Sequence, residues 1–143
     1  MPARLAVRDY MTRDVVTLKP DMDVLQAIAI LLKHNISGAP VVGPGGELLG
    51  MLTERDCMRV GLDAAFHQQS GGTVADYMAT DVITVSAEES IVDTVRRFYD
   101  GYYLRYPVVD SSGLVGVISR SDLMRVIGEY WAVAWESHGI RGS

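Results

Sequence analysis

The segment Val7-Arg-Asp-Tyr-Met-Thr-Arg-Asp-Val-Val-Thr17 is found again, with few changes, as Val74-Ala-Asp-Tyr-Met-Ala-Thr-Asp-Val-Ile-Thr84. The two copies are 67 residues apart, and the same spacing relates Pro40-Val-Val42 to Pro107-Val-Val109. The spacing is 66 residues from Gly116 onward, because the second copy has lost one residue before that glycine. A match in type and order over more than fifty residues is not expected by chance, so the chain contains two copies of one unit.

The length and the repeat together predict one domain over residues 1–143, since that length corresponds to a single core. The copies occupy residues 7–62 and 74–129, with a Gly-containing linker or partly helical loop at 63–73 and a C-terminal tail at 130–143. A unit of under sixty residues cannot bury a sheet and two helices by itself. We therefore expect two pseudo-twofold-related units packed through their sheets, with two equivalent clefts.

Apolar residues in each copy recur at positions i, i+4, i+7 and i+8, which is the spacing of an amphipathic helix. They are Val24, Ile28, Leu31 and Leu32 in the first copy and Ile91, Val95, Phe98 and Tyr99 in the second. Asp23 and Ser90 precede these runs and are the predicted N-caps, because their side-chain oxygens can accept hydrogen bonds from the first helical N–H groups.

Two short runs of β-type residues follow each helix and are joined by Gly-Pro-Gly-Gly and Asp-Ser-Ser-Gly turns, which predicts hairpins. The predicted strands are residues 39–42, 48–53, 106–109 and 114–119. A further helix is expected at about 54–60 in the first copy and 121–135 in the second. The fold class is therefore α/β (α+β), with the order β-α-β-β-α present twice.

Charge and composition exclude several classes of function. Thirteen Lys and Arg against eighteen Asp and Glu give a net charge of -5, which argues against nucleic acid as a partner. The longest nearly apolar stretch, residues 24–32, is too short to span a membrane, and the N-terminus has no signal-like run. We therefore expect a cytoplasmic protein without a membrane partner.

The potentially reactive side chains do not form a catalytic or metal-binding pattern. Cys57 is the only cysteine, so no internal disulfide can form and a reducing compartment is expected. It lies in the first turn of a predicted helix, where the helix dipole can lower the pKa of a thiol, although such a cysteine is more commonly a small packed residue. His34, His67 and His138 are isolated from one another. We expect no catalytic residue, no metal and no enzymatic activity.

A second duplicated motif lies where each hairpin meets the following helix. Gly50-Met-Leu-Thr-Glu-Arg-Asp56 and Gly116-Val-Ile-Ser-Arg-Ser-Asp122 both read G-h-h-[ST]-x-x-D, where h is apolar. A hydroxyl N-cap there leaves backbone N–H groups free to bind an anion. The carboxylate one turn later can accept two hydrogen bonds from the vicinal hydroxyls of a ribose. The motif predicts a phosphoribosyl site, and the alternative is a capping box that only stabilises the helix.

These residues resemble a tandem pair of CBS domains, also called a Bateman module. The resemblance covers 7–62 and 74–129 and includes Ser37-Gly-Ala-Pro-Val-Val42, Arg105-Tyr-Pro-Val-Val-Asp110 and both G-h-h-[ST]-x-x-D turns. It implies an adenosine-type regulatory ligand, such as AMP, ADP, ATP, NAD or S-adenosylmethionine, and no required cofactor. It also implies a homodimer, for which the apolar residues of 126–135 are the candidate interface, and the alternative is that this segment caps its own core.

The resemblance also implies roles for individual residues. Asp56 and Asp122 would bind ribose hydroxyls, and Thr53 and Ser119 would approach the phosphates. The adenine would contact mainly the backbone of two segments, 12–16 and 79–83, which begin and end at Thr12, Val16, Ala79 and Ile83.

Arg105 matches a position at which family members often have a phosphate-binding arginine, whereas its counterpart in the first copy, Gly38 after Ser37, carries no charge. Arg120 adds a second positive charge where the first copy has Glu54. We therefore expect the site at Asp122 to bind a charged nucleotide more tightly, and the alternative is that both arginines are solvated surface charges.

The sequence as a whole predicts a stand-alone regulatory module that binds an adenosine nucleotide and controls an unidentified partner protein in trans. The alternative is a ligand-free scaffold or dimerisation module.

Overall fold

The computed structural model describes residues 5–66 and 71–137, with residues 131–137 described by their backbone only. The helices are α1 (Val7–Tyr10), α2 (Val24–His34), α3 (Glu54–Phe66), α4 (Val74–Tyr77), α5 (Ile91–Asp100) and α6 (Arg120–Ser137). The strands are β1 (Gly38–Val42), β2 (Leu48–Thr53), β3 (Val85–Ser86), β4 (Arg105–Asp110) and β5 (Gly113–Ser119). Within the described part of the chain, no helix is long and apolar enough to cross a bilayer.

The chain divides into two compact units whose boundaries differ from those of the sequence repeats. The Asp56 unit is Asp14–Ile83, and the Asp122 unit combines Met1–Arg13 with Thr84–Ser143. The first seven residues of the first repeat, 7–13, and the first ten of the second, 74–83, each pack with the remainder of the other copy. The sequence alone did not predict this exchange.

The Asp56 unit contains the antiparallel hairpin of β1 and β2, in which Gly38 pairs with Thr53. Leu18 extends this sheet through a parallel bridge to Val41, and Ala79 extends it at the other edge through an antiparallel bridge to Met51. The core of this unit consists of Leu18, Val24, Ala27, Leu31, Ala39, Val41, Leu52, Val60, Val74 and Tyr77. The first segment of the second repeat therefore supplies both a sheet bridge and core residues.

The Asp122 unit repeats this arrangement. Strand β3 is parallel to β4, β4 is antiparallel to β5, and Thr12 bridges to Val117 at the outer edge of β5. Its core consists of Val7, Met11, Val85, Ala87, Ile91, Phe98, Tyr106, Val108, Ile118, Leu123 and Val126. The predicted mixed α/β fold, with both hairpins, is confirmed in both copies.

Local signals placed most element boundaries correctly. The Asp23 carboxylate accepts a hydrogen bond from the Leu25 N–H at 2.8 Å, and the Ser90 hydroxyl accepts one from the Asp93 N–H at 3.1 Å, as predicted for N-caps. Helix α3 is longer than predicted, since it continues to Phe66 and into the expected linker.

The short helices α1 and α4 were not predicted. Each is closed by an aspartate that accepts a hydrogen bond from the backbone N–H three residues earlier, at 3.0 Å from Ala6 to Asp9 and 2.9 Å from Thr73 to Asp76.

Candidate functional site

Both G-h-h-[ST]-x-x-D turns form a reciprocal cap at the start of a helix. The Thr53 N–H donates to Asp56 Oδ2 at 2.8 Å, and the Asp56 N–H donates to Thr53 Oγ1 at 3.5 Å. The Ser119 N–H donates to Asp122 Oδ2 at 2.9 Å, and the Asp122 N–H donates to Ser119 Oγ at 3.2 Å. The capping alternative is therefore realised in both copies. Because the backbone caps use one carboxylate oxygen of each aspartate, the other decides what more the aspartate can bind.

The second oxygen of Asp122 is already engaged. Arg125 Nη2 lies 2.7 Å from Asp122 Oδ1, and the Thr12 hydroxyl lies 3.3 Å from Oδ1 and 3.4 Å from Oδ2. The aspartate is only 2% exposed. A buried carboxylate requires such partners, because an unpaired charge away from water is costly.

Asp56 has a simpler environment. Its side chain is half-buried, and both Thr53 donors, the N–H at 2.8 Å and the hydroxyl at 2.9 Å, go to the same oxygen, Oδ2. Ala79 occupies the place that Thr12 has in the other unit and carries no hydroxyl. The Asp56 carboxylate is therefore held by fewer donors than that of Asp122.

The glycine that opens each motif is required by a close approach of the exchanged segment. A Cβ on Gly50 would lie 2.7 Å from the Ala79 carbonyl oxygen, and one on Gly116 would lie 2.8 Å from the Thr12 carbonyl oxygen. Two backbone hydrogen bonds hold each segment there, at 2.8 and 2.9 Å for Thr12 with Val117 and at 2.9 Å for Ala79 with Met51. The backbone at Thr12 and Ala79 thus lies beside the motif, where the resemblance implies contact with adenine.

The hairpin register brings Arg105 to the second motif. Arg105 pairs directly with Ser119, and Gly38 pairs with Thr53 in the other unit. Directly opposed residues of antiparallel strands have Cα atoms roughly 5 Å apart, so the half-buried Arg105 lies beside the Ser119 turn. Helices α3 and α6 begin with equivalent backbone hydrogen bonds. The Arg120 N–H donates to the Leu104 carbonyl at 3.1 Å, as the Glu54 N–H donates to the Ser37 carbonyl.

The remaining predicted site residues are placed as follows. The Ser37 carbonyl accepts a hydrogen bond from the Glu54 N–H at 2.9 Å, and the side chain of Arg120 is exposed. Val16 is half-buried and Ile83 is 46% exposed. The segment 12–16 is divided, since Thr12 belongs to the Asp122 unit and Val16 to the Asp56 unit.

Cys57 is a packed thiol rather than an activated one. It packs against the core of the Asp56 unit. Burial, followed by the negative charges of Asp56 and Glu54, raises the pKa of the Cys57 thiol. Cys57 is therefore the small packed residue that is the commoner case at such a position.

Of the three histidines, only one lies among the described residues. His34 is exposed, whereas His67 and His138 lie outside the described residues. No cluster of His, Cys, Asp and Glu among the described residues could hold a metal ion. Of the predicted dimer interface, only 126–130 have described side chains, and Val126 is buried in the core of the Asp122 unit.

Two arginines related by the repeat, Arg59 and Arg125, follow the motifs, and only Arg125 contacts its motif aspartate. Each follows its motif aspartate by three residues, and the two are related by the 66-residue spacing. Arg125 contacts Asp122, whereas Arg59 Nη2 donates to the Asp76 carbonyl at 3.2 Å and its guanidinium carbon lies 4.7 Å from the centre of the Tyr77 ring. The repeat spacing was the signal that could have identified them.

Comparison with known proteins agrees with the fold described above. The chain is 35% identical over 126 residues to the uncharacterized protein MJ1225 of Methanocaldococcus jannaschii. The aligned residues make up 88% of this chain but only 44% of that protein. The structure of CBSX2 from Arabidopsis thaliana in complex with AMP is similar with a TM-score of 0.78 and 25% identity, covering 88% of this chain and 98% of CBSX2.

The CBS domain pair of protein MJ0100, in complex with 5′-methylthioadenosine and S-adenosyl-L-methionine, is similar with a TM-score of 0.73 and 26% identity. That similarity covers 87% of this chain and 97% of the MJ0100 chain. The family profile of the CBS domain matches residues 7–63 and 74–129. This chain therefore belongs to the CBS domain family, of which it carries two tandem repeats.

Proposed function

We propose that this protein is a regulatory module that binds an adenosine nucleotide and thereby controls a partner protein in trans. The observation that carries the proposal is the duplicated turn, in which a carboxylate, a hydroxyl and an exchanged backbone segment are assembled in each unit. A capping box needs only the first two of these. The close approach at Gly50 and Gly116 adds a backbone edge beside each carboxylate.

Each group has a role that follows from its chemistry. Asp56 and Asp122 accept hydrogen bonds from the two ribose hydroxyls, because a carboxylate has acceptor positions on both oxygens. Thr53 and Ser119, at the N-termini of α3 and α6, lie near the phosphate, which the positive end of a helix favours. The backbone of the segments ending at Val16 and Ile83, together with Thr12 and Ala79, contacts the adenine.

The ligand class follows from what the similar proteins bind. CBSX2 is in complex with AMP, and the MJ0100 pair is in complex with 5′-methylthioadenosine and S-adenosyl-L-methionine. Adenosine is common to these molecules, so we propose it as the shared recognition element. Arg105 and Arg120 favour a phosphorylated ligand in the Asp122 unit, because a guanidinium binds phosphate through charge-assisted hydrogen bonds.

We propose in addition that two copies of the chain associate. Helix α3 exposes Met58, Leu62 and Phe66 at positions i, i+4 and i+8, with exposed fractions of 64%, 55% and 75%. A continuous apolar stripe of this kind on a helix is typical of an interaction surface. Light scattering at tens of micromolar should give twice the chain mass, and a Leu62→Glu variant should give the chain mass. A wild-type mass of one chain would exclude the dimer.

The proposal assigns no enzymatic activity to the chain and places it in the cytoplasm, in keeping with its free Cys57. The second candidate, a ligand-free scaffold, is favoured by one observation, namely that the motif aspartates already cap their helices. It predicts that no adenosine compound changes the stability of the protein.

The decisive experiment is titration calorimetry with adenosine, AMP, ADP, ATP, NAD and S-adenosylmethionine, together with thermal unfolding. A ligand at about 100 times its dissociation constant should add about 2.7 kcal/mol to the free energy of unfolding. Comparing the affinities for AMP and ATP distinguishes an energy sensor from a general adenosine binder. An assay for release of AMP or phosphate tests for turnover. If no compound gives heat or shifts the melting temperature, the scaffold is correct and the nucleotide module is wrong.

A further inference from the structure

The two units differ at one arginine for which the repeat provides an internal control. Arg59 and Arg125 both lie three residues after the motif aspartate, on the second turns of α3 and α6. Arg125 reaches back to its aspartate, with Nη2 at 2.7 Å from Asp122 Oδ1. Arg59 turns away from Asp56 and lies over the Tyr77 ring, 4.7 Å from its centre. The same residue type at the same repeat position therefore has two arrangements.

The arginine contact completes the coordination of the Asp122 carboxylate. Ser119 N–H binds Oδ2 at 2.9 Å, Arg125 binds Oδ1 at 2.7 Å, and the Thr12 hydroxyl lies 3.3 and 3.4 Å from the two oxygens. The side chain of Asp122 is 3% exposed, although that of Arg125 is 63% exposed. Two ribose hydroxyls would therefore compete with Arg125 and Thr12 for the acceptor positions of this carboxylate.

The contacts of Arg59 in the Asp56 unit show where a displaced Arg125 could lie in the Asp122 unit. In the Asp56 unit, Arg59 rests on the Asp76 carbonyl and the Tyr77 ring, and the Tyr77 hydroxyl donates to Asp63 at 2.7 Å.

The matching repeat positions hold Asp9 and Tyr10, which are identical to Asp76 and Tyr77, and Glu129, which is acidic like Asp63. Helix α1, which carries Asp9 and Tyr10, packs against α6, which carries Arg125 and Glu129. Arg125 thus has a second resting place of the kind that Arg59 already occupies.

Building on the proposed nucleotide binding, we propose that Arg125 is a latch that competes with the ribose for Asp122 and so makes the two sites unequal. The Asp56 site, whose aspartate is held by Thr53, binds adenosine compounds first. The Asp122 site binds only when Arg125 moves from the carboxylate to Tyr10. This order is the reverse of the one that Arg105 and Arg120 suggest from the sequence.

The size of the effect is limited by the exposure of the latch. The Arg125 contact is a charge-assisted hydrogen bond to a buried carboxylate, and the exposure of Arg125 to solvent weakens it, so its loss changes an affinity by roughly three- to tenfold. Removing the latch should therefore strengthen the weaker binding event by that factor. The gain should be the same for adenosine and for AMP, because both contain the ribose.

The test is calorimetric titration of adenosine and AMP into the wild type and the variants Arg125→Met, Arg125→Lys, Arg59→Met, Asp56→Asn and Asp122→Asn. Methionine keeps the apolar stem of arginine but removes its charge, and lysine keeps the charge. Arg59→Met is the matched control, because Arg59 contacts the Asp76 carbonyl and the Tyr77 ring. Urea unfolding of each variant separates an effect on folding from an effect on binding.

We expect Asp56→Asn to remove the tighter event and Asp122→Asn the weaker one. Arg125→Met should strengthen the weaker event three- to tenfold, Arg125→Lys should restore weak binding, and Arg59→Met should leave both events unchanged. Weaker AMP binding in Arg125→Met would show that Arg125 binds phosphate and would overturn the latch. Unchanged affinity in Arg125→Met would also overturn it while leaving nucleotide binding intact. Absence of binding in the wild type and all variants would overturn the proposed function and the latch together.

Discussion

The Asp56 unit and the Asp122 unit share the backbone of the candidate site but differ in the charges around it. In both units a reciprocal cap starts the helix, and an exchanged segment bridges to the second hairpin strand beside a glycine. The side chains differ, since Arg105 stands opposite Ser119 and Gly38 stands opposite Thr53. Glycines and helix caps therefore fix the repeated geometry, while the surrounding charges can diverge without changing the fold.

The ion pairs of the two units differ as well. Arg8 pairs with Glu88 at 2.6 Å and with Asp110 at 3.5 Å in the Asp122 unit. The matching repeat positions in the Asp56 unit are Ala75, Asp21 and Gly43, which cannot form that group. A change of pH or salt concentration should therefore affect the stability of the Asp122 unit more than that of the Asp56 unit.

Substitution of the glycine that opens each motif should have the largest effect on stability. Gly50→Ala and Gly116→Ala place a methyl group 2.7 and 2.8 Å from the carbonyl oxygens of Ala79 and Thr12. Because the contacted atoms are backbone, each substitution should lower the free energy of unfolding by about 1–3 kcal/mol, as measured by urea denaturation.

Gly61→Ala and Gly128→Ala are matched controls for these variants. They lie in α3 and α6 with no heavy atom within 4 Å of the added Cβ. Alanine has the higher helix propensity, so each control should stabilise the protein by up to about 1 kcal/mol. If Gly50→Ala or Gly116→Ala were as stable as the controls, the close approach of the exchanged segments would be wrong.

A smaller effect is expected from Arg105, which should affect phosphorylated ligands but not adenosine. Arg105→Ala should weaken binding of AMP and ATP in the Asp122 unit roughly tenfold while leaving adenosine unchanged, because the phosphate is the part of the ligand proposed to bind the arginine. The loss should be larger at low ionic strength. Titrations at two salt concentrations measure both effects.

Arg96→Ala provides the control for Arg105→Ala, since it removes the same charge from an exposed position on α5 of the same unit. It should leave all affinities unchanged. An equal loss for adenosine and AMP in Arg105→Ala would indicate a structural role for Arg105, and no loss would make it a solvated surface charge.

The smallest expected effect is a pH dependence confined to the Asp122 unit. Hydrogen bonds from the Ser112 hydroxyl at 2.6 Å and the Ser112 N–H at 2.7 Å, with Arg8 also contributing, lower the pKa of the Asp110 carboxyl. A carboxyl with a lowered folded-state pKa contributes stability above its unfolded value of about 3.9. That stability is lost as the pH falls through the folded-state value.

Unfolding curves between pH 2 and pH 6 for the wild type and Asp110→Asn measure this contribution. The variant should lose less stability than the wild type on the acid side, and its curve should converge with that of the wild type at the lowest pH. Asp100→Asn, which changes an exposed carboxylate at the end of α5, should follow the wild type. A parallel pair of curves for wild type and Asp110→Asn would contradict the assignment.

The repeat, the hairpins and the helix caps could be predicted from sequence because their interactions are local. Strand β2 was predicted at 48–53 and is Leu48–Thr53, and the cap at Asp23 involves an N–H two residues away. The G-h-h-[ST]-x-x-D motif indicated both a cap and a ligand site, and the cap is present in each copy. Such contacts span a few residues, so they depend on residue type and spacing alone.

The exchange of the first segments, the reason for the motif glycines and the partners of Asp122 were decided only by the tertiary structure. Thr12 and Asp122 are 110 residues apart in sequence, and the spacing of the repeats is the same whichever copy the first segment packs against. Arg59 and Arg125 have the same local sequence position but different partners. Amino-acid sequence determines which groups can form hydrogen bonds, whereas the path of the folded chain determines which of them come within about 3 Å of each other.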